Sequence, residues 1–404
     1  MVLQKNISLW EKLFTVTVLF LSTGAFISLF RIENEVVFNL IYDNILAHTL
    51  WYGFFILTFF LLLMSLRQVV HLVSQEKLLW LLLGLALVSI AWSVAPIVTL
   101  RRCAVLLAAT SFGTYIGTRY TREQLLELLV WTLGVSTILS MGFALLFPLY
   151  GTHHLWYGSP WRGIYANRNM LGCLMTLTAV TWLLYSSHRT SQRMFGFVFC
   201  GMSITLLLLS KSITALLVFL MFQPVLIIHR LVRWRYVWIL CFLILIIAAT
   251  STILLFSNFQ TTLTTLGREV TLTGRTLLWK SVWEMIQQSP WLGYGYGAFR
   301  LGMKGTSYHE LPALPEEPLY AHNGYLDLWL QLGLVGLVFF ALSLYTNIYK
   351  ALSLMLRGKG VAQSFPLLFL TFMMIYNLSE SLFVQNSFLW ILYVAITYQL
   401  KSGK

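Results

Sequence analysis

An all-α multi-pass membrane protein is the fold class this sequence predicts, with about 12 transmembrane helices and a large outer-side loop between helices 9 and 10. Three observations predict it. Hydrophobic residues make up 58% of the 404, charged residues only 10%, and the mean hydropathy is +0.77, a balance far from that of a soluble domain. The apolar runs are continuous rather than alternating, which selects helices over a barrel. The basic residues are distributed unevenly between alternate loops, as insertion topology requires.

In chain order, the apolar windows place spans at 13–31, 48–66, 78–95, 98–117, 125–147, 166–186, 194–210, 212–229, 235–257, 323–349, 364–383 and 386–400. Each approaches the roughly 20 residues needed to cross the hydrocarbon core. The first is as long as a full span and lacks a small-residue cleavage site, so it reads as a retained helix, not a signal peptide. With the N-terminus cytoplasmic, the inner loops hold 16 of the 27 Lys and Arg, from Lys5, Lys12, Arg67 and Lys77 through Arg119 and Arg122 to Lys350, Lys401 and Lys404. Only Glu11, Glu76, Glu123 and Glu127 accompany them, so nearly all of the net charge of +13 lies on that side. The charge is therefore topological, and no basic face remains for nucleic acid.

The chain reads as one integral membrane domain, 1–404, with no fixed-period repeat and no low-complexity linker. Cys103, Cys173, Cys200 and Cys241 fall inside spans without zinc or redox spacing, and read as small apolar packing residues. Two outer segments stand apart, 148–165 and the long loop 258–322. Within the latter, Leu278, Val282 and Met285 recur at helical spacing, and Pro290 follows, which predicts a helix at about 275–288. Irregular backbone at membrane depth has to be buried in protein or line a wet cavity, so this loop points to a cavity on the outer side.

Basic residues sit beside or within apolar runs on that side: Arg101, Arg102, Arg162, Arg168 and Lys211, with Arg275 in the loop. Each is costly near hydrocarbon, and the positive-inside tendency opposes it. Their common sign asks for an anionic partner, and arginine's planar fork suits phosphate oxygens, a pyrophosphate above all. Snorkelling to lipid headgroups is the plainer alternative for any single one. His322 opens HNGYLDLW as span 10 begins. It is either a headgroup or core contact or a proton acceptor near neutral pH, with Asn323 or Asp327 placed to orient it. Gly293, Gly295 and Gly297 in GYGYGAF do not have nucleotide-loop spacing. They read as a tight turn presenting Trp291, Tyr294 and Tyr296 to sugar rings or to the membrane interface. His153 and His154 are too isolated for a metal site, and His309-Glu310 is not a zinc motif.

In their order along the chain, AWSVAPIVTLRR (91–102), RGIYANRNMLG (162–172), SKSITALL (210–217), and TGRTLLW, PWLGYGYGAF and HNGYLDLWLQLGLVG within 273–336 resemble the bacterial O-antigen ligase and polysaccharide polymerase superfamily. NLSESLFVQN at 377–386 fits that family's acidic residue near the penultimate span. The resemblance implies a metal-independent, nucleotide-independent glycosyltransferase of the inner membrane, with no cofactor, working on the periplasmic side. Its donor is a glycan on undecaprenyl pyrophosphate and its acceptor another glycan or lipid A-core.

The resemblance also assigns catalytic roles to Arg275 and His322. It places substrate binding at Arg162, Arg168, Asn169, Arg102, Lys211, Tyr294, Tyr296 and Asn323. Arg168 stands where the family has Lys, and Tyr165 where it has Phe. The pattern around 273–297 looks closer to the exopolysaccharide polymerase branch, with O-antigen ligase as the alternative and protein O-glycosylation further off. A glycolipid transporter is the reading from a different class. It would need inverted repeats or paired broken helices, and neither is evident in the sequence.

Overall fold

The computed structural model describes residues 7–26, 45–63, 66–153, 159–188, 190–231, 275–298, 321–357, 360–385 and 387–402. These form helices α1 (Leu9–Ser22), α2 (Ile45–Leu63), α3 (Leu66–Gln75), α4 (Lys77–Val88), α5 (Pro96–Arg119), α6 (Arg122–Leu146), α7 (Arg168–His188), α8 (Arg193–Leu209), α9 (Ile213–Leu231), α10 (Arg275–Gln288), α11 (Gly324–Arg357), α12 (Val361–Tyr376) and α13 (Phe388–Ser402). The expected span 235–257 lies outside the described residues, as does most of the loop 258–322.

Four of these helices are long and apolar enough to cross a membrane: Pro96–Arg119, Arg122–Leu146, Arg168–Ser187 and Gly324–Arg357. A bent pair, Val69–Gln75 with Lys77–Ala91, raises that to five if it is one span. Four other expected spans appear as shorter apolar helices, Gly53–Leu63, Arg193–Leu209, Ile213–Phe222 and Val361–Tyr376. The count of 12 is therefore not reached by length and composition among the described residues.

Local chemistry accounts for the differences. The window 78–95 runs through Ser89 and Ser93 as one span, but α4 ends at Val88, followed by a short 3-10 turn at Ser89–Ala91. Pro96 then starts α5 at its first position, where its missing N–H costs nothing. The amphipathic α3, LRQVVHLVSQ, was not expected, because a whole-span window averages out a 10-residue helix with one apolar stripe. It meets the next helix at 86°. The loop helix appears where the spacing predicts it, at Arg275–Gln288.

Helices pack where small residues allow close approach. On α5, Gly113 and Gly117 face α13 so tightly that a Cβ would lie 2.7 Å from the carbonyl oxygens of Ile391 and Ala395 respectively, the small-xxx-small mode of membrane helices. Trp390 on α13 donates its indole N–H to Thr110 Oγ1 at 2.9 Å. α7 is buried on nearly every side and meets α8 through a Trp182–Phe199 stack with centroids 4.3 Å apart. Large apolar side chains such as Ile56, Phe59, Trp131 and Phe197 stay exposed, as a lipid-facing belt does. Cys103, Cys173 and Cys200 are buried thiols.

Charges assigned to the inner loops come together at one end of the bundle. Arg119 grips both oxygens of Glu11, Nε at 2.5 Å and Nη2 at 2.9 Å. Glu76, at the α3–α4 elbow, lies 3.1 Å from Lys401 Nζ and 3.8 Å from Lys350 Nζ. Gln399 donates to the Tyr120 carbonyl at 3.0 Å, joining α13 to the same end of α5.

Candidate active site

The opposite end carries His322. It is the residue before the N-cap of α11, held at φ +48°, a left-handed conformation uncommon for residues other than glycine. Asn323 is that cap: its Oδ1 accepts from the amides of Tyr325 (3.0 Å) and Leu326 (3.2 Å). Its own N–H donates to Ser381 Oγ at 3.1 Å, and its amide nitrogen donates to the Leu378 carbonyl. Both fasten the start of α11 to the segment between α12 and α13.

That segment supplies Glu380, whose Oε2 faces His322 Nδ1 at 3.5 Å. The other carboxylate oxygen accepts from Asn169 Nδ2 at 2.8 Å, and Asn169 Oδ1 accepts from Ser212 Oγ at 3.1 Å. Tyr376 donates its hydroxyl to the Asn169 carbonyl at 2.8 Å. Four sequence blocks thus meet on one line: Ser212, Asn169, Glu380, His322. Of the carboxylates near His322, Glu380 is the one that approaches Nδ1, at 3.5 Å, while Asn323 caps the helix and Asp327 Oδ1 accepts from the Ala321 amide at 3.0 Å. A lone Glu in NLSESLF, between two apolar helices, was the available signal for Glu380. Nothing local marks Ser212.

Asp327 is buried within electrostatic reach of both His322 and Arg102. Arg102, on the second turn of α5, donates from Nη1 to the Gly297 carbonyl. Arg162 is half-buried, with Nε on the Tyr150 carbonyl at 2.8 Å. It belongs to a small closed loop in which Thr152 and Trp161 form an antiparallel bridge. Arg168 begins α7, directly before Asn169. Lys211 is exposed at the α8–α9 turn with φ +51°, directly before Ser212.

Arg275 is the first residue of α10, and its side chain lies outside the described residues. One turn later Trp279 donates its indole N–H to the Ala321 carbonyl at 2.8 Å, so α10 is anchored at the residue preceding His322.

The glycine-rich turn does something the sequence does not suggest. α11 is broken at Gly333, with φ 66° and ψ −174°. The break opens the i-to-i−4 bonds that would join Leu334 to Leu330 and Val335 to Gln331. The turn re-makes them. Tyr294 N donates to Leu330 O (2.9 Å) and Gly295 N to Gln331 O (3.0 Å), while Leu334 N donates to Pro290 O (2.8 Å) and Val335 N to Trp291 O (3.3 Å). Backbone groups freed inside an apolar bundle must find such partners.

The two tyrosines expected to face sugars lie in this splice. Tyr296 is buried, its hydroxyl donating to the Val384 carbonyl at 2.8 Å. Tyr294 packs into a cluster with Leu278, Val282, Ile286 and Leu330 and donates to the Met285 carbonyl at 2.9 Å. Burial raises its phenol pKa. Of the three aromatics, Trp291 is the exposed one.

Such an arrangement sets an imidazole beside a carboxylate within a cluster of polar groups drawn from distant parts of the chain. Residues 197–341 match the family model described as O-antigen ligase, a stretch running from α8 through the loop helix, the glycine turn and His322 into α11. No curated protein matches the chain. That match includes His322, Arg275 and the glycine turn, and it supports the resemblance of the chain to the O-antigen ligase and polysaccharide polymerase superfamily.

Proposed function

We propose that the protein is an inverting glycosyltransferase that moves a glycan from undecaprenyl pyrophosphate to an acceptor hydroxyl on the periplasmic face of the inner membrane. The polymerase reaction, joining repeat units, is the first reading. Transfer of finished polysaccharide to lipid A-core is the second. The observation that carries the proposal is the His322–Glu380–Asn169–Ser212 line, a polar centre that residues far apart in sequence assemble at one end of an apolar bundle.

The chemistry follows from the groups. Glu380 beside Nδ1 favours the tautomer with its proton there, which leaves Nε2 to act as base. His322 Nε2 takes the proton of the acceptor hydroxyl as its oxygen attacks the anomeric carbon from the face opposite the leaving group. The bond from that carbon to the phosphate oxygen breaks, the configuration inverts, and the electron pair departs with the lipid pyrophosphate. Arg275, with Arg102, Arg162, Arg168 and Lys211, supplies positive charge to the departing oxygens. A pyrophosphate stabilised in this way leaves unprotonated, so no second carboxylic acid is required, in contrast to a glycosidase.

Sidedness rests on the basic end. The Glu11–Arg119 and Glu76–Lys350–Lys401 groups belong in the cytoplasm by the positive-inside tendency, together with both termini, and His322 then belongs to the periplasmic side. The break in α11 does not present the open carbonyls of a transporter site. Transporters use the unwound backbone of broken helices to hold ions and substrate, whereas here loop amides occupy the carbonyls of Leu330 and Gln331.

His322→Ala and Arg275→Lys each remove transfer by about 100-fold or more in purified enzyme, with expression unchanged; full activity in either variant removes that residue from the mechanism. Deleting the gene in its native host separates the two reactions. Single repeat units in place of long chains mean polymerase. Polymer accumulating on the lipid carrier over bare lipid A-core means ligase.

A further inference from the structure

Gln331 makes two bonds to the glycine turn. Its backbone carbonyl accepts from Gly295 N at 3.0 Å and its side-chain Oε1 accepts from Gly297 N at 2.9 Å. The residue between them, Tyr296, is held the other way, its N–H on Ser89 Oγ at 3.0 Å and its hydroxyl on the Val384 carbonyl. The turn is thereby pinned from both sides. Its last carbonyl, that of Gly297, accepts from Arg102 Nη1. Gly297 has φ +69°, and a Cβ there would collide with Arg102 Cδ, so backbone turn and arginine stem touch with no space between them. Asp327, one turn before Gln331 on α11, accepts from the Ala321 amide beside His322, so the pinned turn joins α11 close to the polar centre.

We infer that Gln331 is a positioning residue for diphosphate binding: through Gly297 it fixes the orientation of Arg102, and the helix break at Gly333 exists to bring the turn into register for this. An arginine recognises a diphosphate through a planar fork whose direction matters. A long side chain near a wet cavity holds one direction only if its stem and one nitrogen are tied. Gly297 supplies both ties, and among the described residues it is the Gln331 side chain that accepts from Gly297 N–H. Without Oε1 that amide is buried with no acceptor, and the turn swings to find one. The inference deepens the transferase reading, and rests on it for the identity of the diphosphate.

The test uses the full chain in lipid nanodiscs, with inorganic pyrophosphate as the probe and calorimetry as the readout. Gln331→Met keeps the volume and removes the acceptor. It weakens pyrophosphate binding roughly tenfold, the loss of about one hydrogen bond, in the wild-type background and not at all in Arg102→Met. Gly297→Ala, which displaces Arg102 directly, gives the same dependence on Arg102 and serves if Gln331→Met fails to fold by thermal unfolding.

Equal losses in both backgrounds, no loss in either, or no binding of pyrophosphate to the wild type overturns the assignment. A glycan-transfer assay on the same samples separates the two claims. Coupling without transfer sinks the transferase reading and leaves the positioning role. Transfer without coupling does the reverse.

Discussion

Gly333→Ala is the most severe single-methyl change that the structure predicts. The backbone there has φ 66° and ψ −174°, a region almost confined to glycine, and holding another residue in it costs about 1–3 kcal/mol. The added Cβ collides with the Trp291 carbonyl and with the Leu292 amide nitrogen. These are backbone atoms of the turn that re-makes the broken helix bonds, so they cannot rotate away.

Relieving the clash moves the turn, and with it the four hydrogen bonds joining residues 290–295 to 330–335. Each is worth about 0.5–1.5 kcal/mol, more if a buried group is left unpaired. Losing half of them adds about 1–3 kcal/mol, for a total on the order of 2–6 kcal/mol. The assay is thermal unfolding of purified protein, followed by glycan transfer. We expect an unfolding temperature lower by several degrees and a loss of transfer. Gly201→Ala on α8 is the control, because nothing lies within 4 Å of a Cβ there, and it should be neutral or slightly stabilising. Equal behaviour of the two variants would refute the splice.

Glu380→Gln keeps an acceptor for Asn169 and removes the charge facing His322, so kcat should fall about 10- to 100-fold with the donor KM little changed; an unchanged kcat removes Glu380 from the mechanism. Tyr165 lies fully buried, and burial pushes its phenol up to about 12, so it stays neutral at working pH; Tyr165→Phe should alter activity less than about twofold and stability by no more than about 1 kcal/mol, checked by the same two assays. At the basic end, burial pushes the Glu11 carboxyl up, but hydrogen bonds from Arg119 and Tyr115 outweigh it and the net pKa is lowered. A depressed carboxyl contributes its full stability above its unfolded value of 4.5 and loses it as pH falls through the lower folded value. Wild-type unfolding temperature should therefore drop on acidification below about pH 4.5, and Arg119→Met should flatten that drop.

Much of the site was legible in the sequence as positions, less so as partnerships. His322, Asn169 and Ser212 all fall in blocks that resemble the superfamily, and the loop helix at Arg275–Gln288 follows from Leu278, Val282 and Met285 at helical spacing. The roles of Tyr294 and Tyr296 were not legible. A tyrosine in a glycine-rich loop looks the same whether its ring meets a sugar or, as with Tyr296, packs in the core with its hydroxyl on Val384 O. The break at Gly333 was hidden for a similar reason. In LQLGLVG the helical apolar pattern continues past Gln331 on both sides, and only the incoming Trp291 carbonyl shows why the residue must be glycine.

By itself, the sequence determined that the chain is an apolar, helical, membrane-type protein, where its basic residues collect, and which blocks resemble the superfamily. These are properties of local composition, since the transfer of about 20 residues into hydrocarbon is a sum over neighbours. Only the tertiary structure decided that His322 faces Glu380, that Asn169 joins Glu380 to Ser212 across 211 and 43 residues of chain, and that the glycine turn repairs a helix. Each is a pairing of groups that must be satisfied once buried. Which partner satisfies them depends on how distant helices pack, and no local window contains that.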